Sequence, residues 1–377
     1  MTAPADSPPL EILAVYGTRP EAIKMAPVIA ALRRRPGHFA VTVCTTGQHR
    51  EMLEQVQSLF GLAPDLDLRL MRYDQTLNGL AAGALSALDE VLQARRPDWL
   101  LVQGDTTTAM SAALAAFHRG VRVGHVEAGL RTGNLRMPFP EEANRRVIDL
   151  LADALFAPTG RAGRALLAEG CDPERIHVVG NTVIDALQSL DGDAPRAPER
   201  PEVLITVHRR ESFGAPLRSI FAALRRLAES FPEVAWTYPV HRNPNVRGPA
   251  HELLSGLANL ELCEPLDYRE LVATLARCRF ALTDSGGIQE EAPAFGKPVL
   301  VLRETTERPE GVEAGVARLV GTDPDRIFAE ASRLLLSPGA YQEMARAINP
   351  YGDGHAADRI AAILAAEPWS PFLGEVA

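Results

Sequence analysis

The sequence predicts an α/β protein with two parallel sheets, and three observations lead to this prediction. Short apolar runs of β type alternate with longer helical stretches along the 377 residues. The runs are apolar at nearly every position, which is typical of strands buried on both faces of a sheet. A segment rich in Pro, Asp and Arg at 191–202 interrupts the alternation, which then restarts. We therefore expect two α/β halves, an exposed linker and a ligand cleft between the halves.

The predicted strands form two sets. In the first half they lie at 12–16, 39–44, 99–103, 121–126 and 154–158, and in the second half at 203–207, 233–240, 280–284 and 298–302. Because parallel strands place their ligands at their carboxyl ends, the polar residues that follow these runs are the candidates for function.

Composition excludes several functional classes. The chain has 48 acidic and 39 basic residues, a net charge of −9, which offers no long-range attraction to nucleic acid. The N-terminus has no basic n-region, and no apolar run approaches the ~20 residues that span a bilayer. The four cysteines are too far apart in sequence to form a CxxC pair. We expect a cytoplasmic protein that binds neither membrane nor nucleic acid.

The first candidate motif follows the first strand. Gly17 permits a tight turn, Pro20 suits the first position of a helix, and Arg19 with Lys24 can meet an anion at the helix N-terminus. The alternative interpretation is a solvated basic start of a helix.

Three carboxylates follow later strands of the first half. They are Asp105 in QGDTTT, Glu127 in VEAGLRTG and Glu141 in PFPEE. If their loops share one sheet edge, the carboxylates converge. Their mutual interaction can then separate their pKa values, so that one acts as a general acid and another as a general base. Alternatively, Asp105 caps a helix and Glu141 is a first-turn acidic residue.

His125 and Glu127 resemble the His-x-Glu of zinc deaminases, but no Pro-Cys-x-x-Cys follows in the chain. We therefore predict that His125 is structural and that the protein has no catalytic metal.

The second half carries the most specific local signal. Ser285, Gly286 and Gly287 open a predicted helix and can expose backbone N–H groups to a phosphate, and Glu291 can accept from ribose hydroxyls. His208 ends a strand, where it either contacts a leaving phosphate or belongs to a charged start of a helix.

Two common nucleotide signatures are missing. The chain has neither G-x-G-x-x-G after the first strand nor G-x-x-x-x-G-K-[ST]. NAD-dependent oxidation and P-loop hydrolysis therefore lack support, and a nucleoside diphosphate is the expected ligand.

Taken together, the motifs resemble those of the non-hydrolysing UDP-N-acetylglucosamine 2-epimerases of bacteria. The resemblance covers nearly the whole chain through YGTRPEAIKMAPVI, TGQHREML, QGDTTTAM, GHVEAGLRTG, PFPEEANRR, GNTVIDAL, HRRESFG, YPVHRNPNV, TDSGGIQEEAP, GKPVLVLRETTERPE and LVGTD.

The resemblance implies two Rossmann-like domains arranged as in B-type glycosyltransferases, at 1–190 and 191–363. It also implies a C-terminal helix, assigned to 364–377, that returns to the first domain; the helical run 355–367 is its candidate. The implied enzyme is an isomerase and a homodimer without cofactor. It interconverts UDP-GlcNAc and UDP-ManNAc for cell-surface polysaccharide, by elimination of UDP to 2-acetamidoglucal and its readdition.

The resemblance also implies roles for individual residues. The catalytic set is Asp105, Glu127, Glu141 and His208. The UDP-binding set is Arg19, Lys24, Ser285, Gly286, Gly287, Glu291 and Arg308. The positions of an allosteric UDP-GlcNAc site are Gln48, His49, Arg72, Arg209 and His241. Two residues depart from some members of the family: Glu51 replaces Gln at a regulatory position, and Leu266 replaces Gln near the uracil.

Three alternatives remain at this stage. A hydrolysing relative would release ManNAc and UDP from the same intermediate. A glycosyltransferase or a silent nucleotide-sugar sensor would share the fold, but neither requires three clustered carboxylates.

Overall fold

The structure is a computed structural model, and it describes residues 8–47, 50–71, 75–190 and 200–374. The described residues form two compact units. The first comprises residues up to 186 together with 352–374, and the second comprises 187–351. The predicted fold class is confirmed, since each unit is a parallel sheet flanked by helices.

The sheet of the first unit has seven parallel strands in the order β3-β2-β1-β4-β5-β6-β7. Its strands are β1 (Leu10–Tyr16), β2 (Phe39–Thr45), β3 (Leu66–Asp67), β4 (Trp99–Gln103), β5 (Arg122–Val126), β6 (Ala154–Ala157) and β7 (Ile176–Val178). Every residue of β4 is buried, as its apolar sequence predicts.

The helices of the first unit are α1 (Arg19–Arg33), α2 (Arg50–Leu59), α3 (Leu77–Arg95), α4 (Thr107–His118), α5 (Glu141–Leu151), α6 (Gly160–Ala168) and α15 (Ala356–Leu364). Helix α7 (Thr182–Leu190) begins in the first unit and continues into the second, which starts at residue 187. Three of these helices start at a threonine cap: Thr76, Thr106 and Thr159 each accept a hydrogen bond from a backbone N–H of the first turn. The alanines of α4 are buried between the sheet and its neighbours α3 and α5.

The C-terminal helix differs from the range 364–377 assigned above. It is α15, which ends at Leu364, and the chain from 365 to 374 is not helical because Pro368 and Pro371 interrupt it. The helix packs on α1, and the ion pair of Arg34 with Asp358 (2.7 Å) joins the two. Residues 352–363, assigned above to the second domain, therefore lie in the first unit.

The sheet of the second unit has six parallel strands in the order β10-β9-β8-β11-β12-β13. Its strands are β8 (Glu202–Thr206), β9 (Ala235–Pro239), β10 (Leu260–Cys263), β11 (Phe280–Thr283), β12 (Val299–Val301) and β13 (Ala317–Leu319). The connecting helices are α8 (Ala215–Ser230), α9 (Pro244–Leu254), α10 (Tyr268–Arg277), α11 (Gly286–Glu291), α12 (Pro309–Glu313), α13 (Pro324–Leu336) and α14 (Pro338–Ala345). Phe221, Trp236 and Phe280 are among the largest side chains in its core.

All nine strands expected from the sequence are present, each shifted by at most a few residues. Four were not expected: β3, β7, β10 and β13. They are short, and most of their residues are only half-buried, so their sequences lack the continuous apolar run. The expected linker overlaps β8 at Glu202, while 191–199 lie outside the described residues.

Within the described ranges, no helix has the length and apolar character needed to cross a bilayer.

Asp185 ties α7 to the start of α15 and generates a prediction about pH. Its Oδ1 accepts the backbone N–H of Ala357 (2.8 Å), and burial together with the nearby charge of Asp353 raises its pKa to about 6. The folded protein therefore binds a proton more tightly than the unfolded chain, whose Asp pKa is about 3.9. This stabilising contribution is complete below about pH 4 and is lost as the pH rises through about 6.

We expect Asp185→Asn to remove this pH dependence while keeping an acceptor for Ala357. Relative to wild type, the variant should gain about 2 kcal/mol in the free energy of unfolding between pH 4 and pH 7. Urea unfolding at both pH values measures the difference. Asp358→Asn, on the exposed side of α15, is the control and should show no such gain; a pH-independent difference for Asp185→Asn would contradict the assignment.

Candidate functional site

Asp105 and Glu127 follow two neighbouring strands of the first unit. Asp105 comes just after β4 and Glu127 directly after β5, and the backbone N–H of Gly104 donates to Val126 O (3.1 Å) between the two strands. A Cβ on Gly104 would lie 4.0 Å from Glu127 Oε2. The two carboxylates therefore share one sheet edge, as the sequence predicted.

Glu127 is held from both sides. Its Oε1 pairs with Lys24 Nζ, and its Oε2 accepts from Gln103 Nε2. Its backbone has φ +71°, a left-handed conformation that costs a non-glycine residue about 1–3 kcal/mol and is found where the surroundings enforce it. Two residues later, an added Cβ on Gly129 would lie 2.4 Å from Ala162 O, so this loop requires glycine.

Asp105 is held by α5. Arg145 pairs with Asp105 Oδ2, and Asn144 Nδ2 donates to the Asp105 carbonyl (2.9 Å). Glu141 is the first residue of α5 and is half-buried. Because Glu141 and Arg145 are four residues apart on one helix, they lie on the same face. The residue that binds Asp105 is therefore one turn from Glu141.

The carboxylate of Glu21 holds the loop before α1 in place through hydrogen bonds. Glu21 is buried, and its Oε2 accepts the N–H groups of Gly17 (2.8 Å) and Thr18 (2.6 Å), while its Oε1 accepts from Thr106 Oγ1 (2.6 Å). Arg19 is the first residue of α1 and is half-buried. Lys24, expected to meet an anion, pairs with Glu127 in this structure.

His125 lies in β5 and is fully buried. Its Nδ1 is 2.6 Å from Asp149 Oδ1, and its Nε2 is 2.8 Å from Gly104 O. Asp149 also pairs with Arg131 (2.7 Å). Both ring nitrogens are therefore used inside the fold, in agreement with the structural role expected for His125.

In the second unit, Asp284 organises the residues after β8. This fully buried carboxylate accepts the backbone N–H groups of His208 (2.9 Å) and Arg209 (2.8 Å), and it lies 3.5 Å from His208 Nδ1. The rings of His208 and His241 stack with their centroids 5.6 Å apart. Burial and the positive charges of His241 and Arg209 lower the pKa of His208, against the opposing effect of Asp284. His208 is therefore mainly neutral at pH 7 and can donate or accept a hydrogen bond rather than carry a fixed charge.

Ser285 occupies the position before the short helix α11, which runs from Gly286 to Glu291, and its side chain makes no capping hydrogen bond there. Gln289 connects this loop to the one that carries Arg308: its Nε2 donates to Ser285 O (3.1 Å), and its Oε1 accepts from Thr306 Oγ1 (2.6 Å). Thr306 in turn accepts the backbone N–H of Arg308 (3.0 Å). The two loops expected to hold UDP therefore form one hydrogen-bonded assembly.

The charged side chains around Gly286 are close together. Arg308 Nε pairs with Glu290 Oε1 (2.5 Å), and Arg209 Nη2 pairs with Glu307 Oε1 (2.8 Å). A Cβ on Gly286 would lie 3.2 Å from Glu307 Oε1 and 3.4 Å from Arg209 Nη2, so glycine leaves space here. Burial opposes ionisation of Glu307, but Arg308, Arg209 and Arg303 outweigh it and lower its pKa to about 2.

The expected allosteric set is described only in part. Gln48, His49 and Arg72 lie outside the described residues, as does the side chain of Glu51. Arg209 and His241 both lie beside His208, in the second unit. Leu266 is half-buried in the loop between β10 and α10.

Among the described residues, no group of three or more His, Cys, Asp or Glu side chains is arranged to hold a metal ion.

Sequence analysis missed several residues that hold the candidate groups in place, notably Gln103, Arg145, Asp284 and Glu307. Two signals could have found them. Arg145 follows Glu141 at a spacing of four on a predicted helix, and Asp284 directly precedes Ser285 at a strand end.

Comparison with known proteins decides the family. The family model described as UDP-N-acetylglucosamine 2-epimerase matches residues 30–365. The chain belongs to this family, and the predicted enzyme class, an isomerase, is confirmed.

Individual relatives agree over nearly the full length. A UDP-N-acetylglucosamine 2-epimerase of Salmonella typhimurium is 50% identical over 366 residues, covering 93% of this chain and 97% of that one. A crystal structure of the Neisseria meningitidis UDP-GlcNAc 2-epimerase bound to UDP-GlcNAc is 44% identical, with a TM-score of 0.86, and covers 95% of this chain and 100% of that one. The glycotransferase of kitacinnamycin, 16% identical with a TM-score of 0.63 over 95% of this chain and 99% of that one, shares the fold alone.

Proposed function

We propose that this isomerase converts UDP-GlcNAc to UDP-ManNAc reversibly and without hydrolysis. In the proposed reaction UDP is eliminated from C1 while the C2 proton is removed, which gives 2-acetamidoglucal. Readdition of UDP to C1, with a proton delivered to the other face of C2, completes the inversion. No oxidant is needed, because departure of the anomeric oxygen acidifies the C2 hydrogen.

The observation that carries this proposal is the pair of carboxylates at one sheet edge, each bound to a cation. Asp105 is paired with Arg145, and Glu127 with Lys24. Two proton transfers on opposite faces of C2 require two differently placed acid–base groups. Two carboxylates held by separate partners meet this requirement, and Glu141 lies one helical turn from Arg145.

The surroundings of Asp105 and Glu127 suggest that the two carboxylates have different roles in proton transfer. Both oxygens of Glu127 are bound, and 9% of its side chain is exposed. Asp105 uses Oδ2 for Arg145, 27% of its side chain is exposed, and its Oδ1 has no hydrogen-bond partner among the described residues. We infer that Asp105 is the better placed to exchange a proton with the sugar directly, and that Glu127 acts together with Lys24.

The loops of the second unit supply the features expected for UDP. Ser285 and the two glycines leave room for a diphosphate to approach the backbone, and Arg308 and Arg209 lie beside Gly286. A neutral His208 fits a hydrogen bond to the departing phosphate oxygen. We propose that Arg19 and Glu291 complete the nucleotide site, with Glu291 on the ribose.

Incubation with UDP-GlcNAc in D₂O tests the proposed reaction. We expect NMR to show UDP-ManNAc with deuterium at C2, because the proton is lost to solvent during elimination, and deuterium to appear at C2 of UDP-GlcNAc as well. Free UDP and ManNAc that accumulate in equal amounts would instead indicate the hydrolysing alternative. Retention of the C2 hydrogen in the product would contradict removal and delivery of the proton by two different groups.

The two carboxylates can be tested by isosteric substitution. We expect Asp105→Asn and Glu127→Gln each to lower kcat by a factor of about 10² to 10⁴, the usual contribution of a positioned acid or base. UDP binding should remain close to wild type for Asp105→Asn, since its partner Arg145 is not among the proposed nucleotide contacts. Coupled product assays and calorimetry with UDP measure the two effects.

Asp89→Asn is a matched control for these variants. Asp89 also pairs with an arginine, Arg119, but on an exposed surface of the same unit. This variant should keep wild-type kcat. Full activity of both carboxylate variants would refute the acid–base assignment.

We also propose an allosteric UDP-GlcNAc site formed by Gln48, His49, Arg72, Arg209 and His241. In its support, Arg209 and His241 both adjoin His208, so a ligand on them could alter the position of the histidine.

We further propose a homodimer formed through the first unit. Phe117 on α4 and Val147 and Leu150 on the adjacent α5 are exposed, Leu150 by 74%. Large apolar side chains clustered on a surface are typical of protein interfaces. Four free cysteines and the proposed sugar-nucleotide substrate support a cytoplasmic location and a role in supplying polysaccharide synthesis.

Leu150→Glu should shift the protein towards the monomer, because a buried unpaired charge opposes association. Sedimentation velocity measures the change, and Leu336→Glu, also at an exposed leucine but in the second unit, is the control. A wild-type protein that sediments as a monomer would contradict the proposed dimer.

A further inference from the structure

The second unit has a cavity at the amino-terminal ends of its strands. The loops proposed to bind the nucleotide lie at the opposite, carboxyl-terminal ends. The volume of the cavity is about 340 Å³. It lies beside Glu202, the first residue of β8, and Arg279, which directly precedes β11, whereas Ser285 follows β11 at the other end. The strands are parallel, so the cavity lies at their amino ends. It is therefore separate from the site proposed for UDP.

The cavity carries an excess of positive charge. Four basic side chains line it, Arg200, Arg277, Arg279 and Lys297, against a single carboxylate, Glu202. The charge of Glu202 is already balanced, because its carboxylate accepts hydrogen bonds from Arg277 Nε (2.6 Å) and Nη2 (3.2 Å).

Arg279 and Lys297 lack a balancing acid among the described residues. Arg279 donates to the carbonyl of Leu334 (3.2 Å), which is neutral, and its guanidinium lies 4.6 Å from the centre of the Tyr341 ring. Neither Arg279 nor Lys297 has a carboxylate within ion-pair distance in the part of the chain that the structure describes. An anion that entered the cavity would offset this charge.

Lys297 is unusual in this chain. Of the 39 basic residues only two are lysines, Lys24 and Lys297, and the rest are arginines. Lys24 belongs to the candidate active site, and Lys297 is half-buried beside the cavity. A compact ammonium with rotatable donors suits a phosphate oxygen, while the planar arginines can bind two oxygens at once.

The cavity favours binding rather than covalent chemistry. Its one thiol, Cys278, is fully buried and lies 3.3 Å from Leu275 O in a hydrogen bond that it donates. Burial raises the pKa of Cys278 to about 12. The reactive thiolate form is therefore scarce at neutral pH.

We propose that this cavity binds a multiply charged oxyanion of the phosphate class, such as phosphate or diphosphate, with Lys297 and Arg279 as its principal ligands. The volume lies near the lower end of the roughly 300–1,000 Å³ of small-ligand sites, which suits such an anion alone or on a small molecule. The proposal does not depend on the epimerase reaction.

The scarcity of lysine permits a direct test on the full-length protein. Inorganic pyrophosphate is titrated at constant ionic strength, and the rate of lysine acetylation is read at Lys297 and Lys24 by mass spectrometry. We expect pyrophosphate to slow acetylation of Lys297 several-fold with a saturable dependence, and sodium chloride at the same ionic strength to leave it unchanged. An unchanged rate at Lys297 over the whole titration would overturn the proposal. Pyrophosphate at the proposed UDP site is read separately, at Lys24.

Calorimetry of variants gives a second readout. Lys297→Gln should weaken pyrophosphate binding at this site about tenfold, and Lys297→Arg should restore most of it. Arg218→Gln, an exposed arginine in the same unit, removes the same charge elsewhere and is the control. If Lys297→Gln and Arg218→Gln weakened pyrophosphate binding equally, only the net charge of the protein would matter. That result would refute the proposed binding site.

Discussion

Burial of both faces of each parallel sheet is the constraint on which the rest of the structure depends. Strands such as β4 and β11 are buried at every position, so they can carry no exposed polar side chain along their length. Polar chemistry is therefore confined to the two edges where strands end. Asp105, Glu127, His208 and Ser285 all occupy the carboxyl edges of their sheets.

At these edges, acidic and basic side chains form ion pairs with each other instead of facing solvent individually. Glu127 is paired with Lys24, Asp105 with Arg145 and Arg308 with Glu290. Such pairing holds long side chains in one rotamer, which preorganises a site before a ligand arrives. The chain has a net charge of −9, so the proposed dianionic nucleotide would depend on these local cations rather than on the overall field of the protein.

The sequence predicted most of the fold and the strand ends that carry the candidate residues, because both follow from local patterns. Continuous apolar runs indicated nine strands, and the residues that follow those runs indicated the candidate groups. The partners of these groups were less visible. Lys24 and Glu127 are 103 residues apart in sequence, and no spacing rule connects them. The short strand β7, whose residues are only half-buried, lacks an apolar run, so its place in the sheet depends on its pairing with β6.

In the second unit, Asp284 and Glu307 show how two carboxylates acquire opposite roles. Asp284 is fully buried and satisfies backbone N–H groups, so it shapes the loop that carries His208 and Arg209. Glu307 is only partly buried among three arginines, and its ionised form is favoured strongly enough to compete for Arg209. An anionic ligand that approached Gly286 would meet Glu307 as well as the arginines. Its binding would then require Arg209 to exchange a carboxylate for a phosphate, which favours a ligand of higher charge over a neutral one.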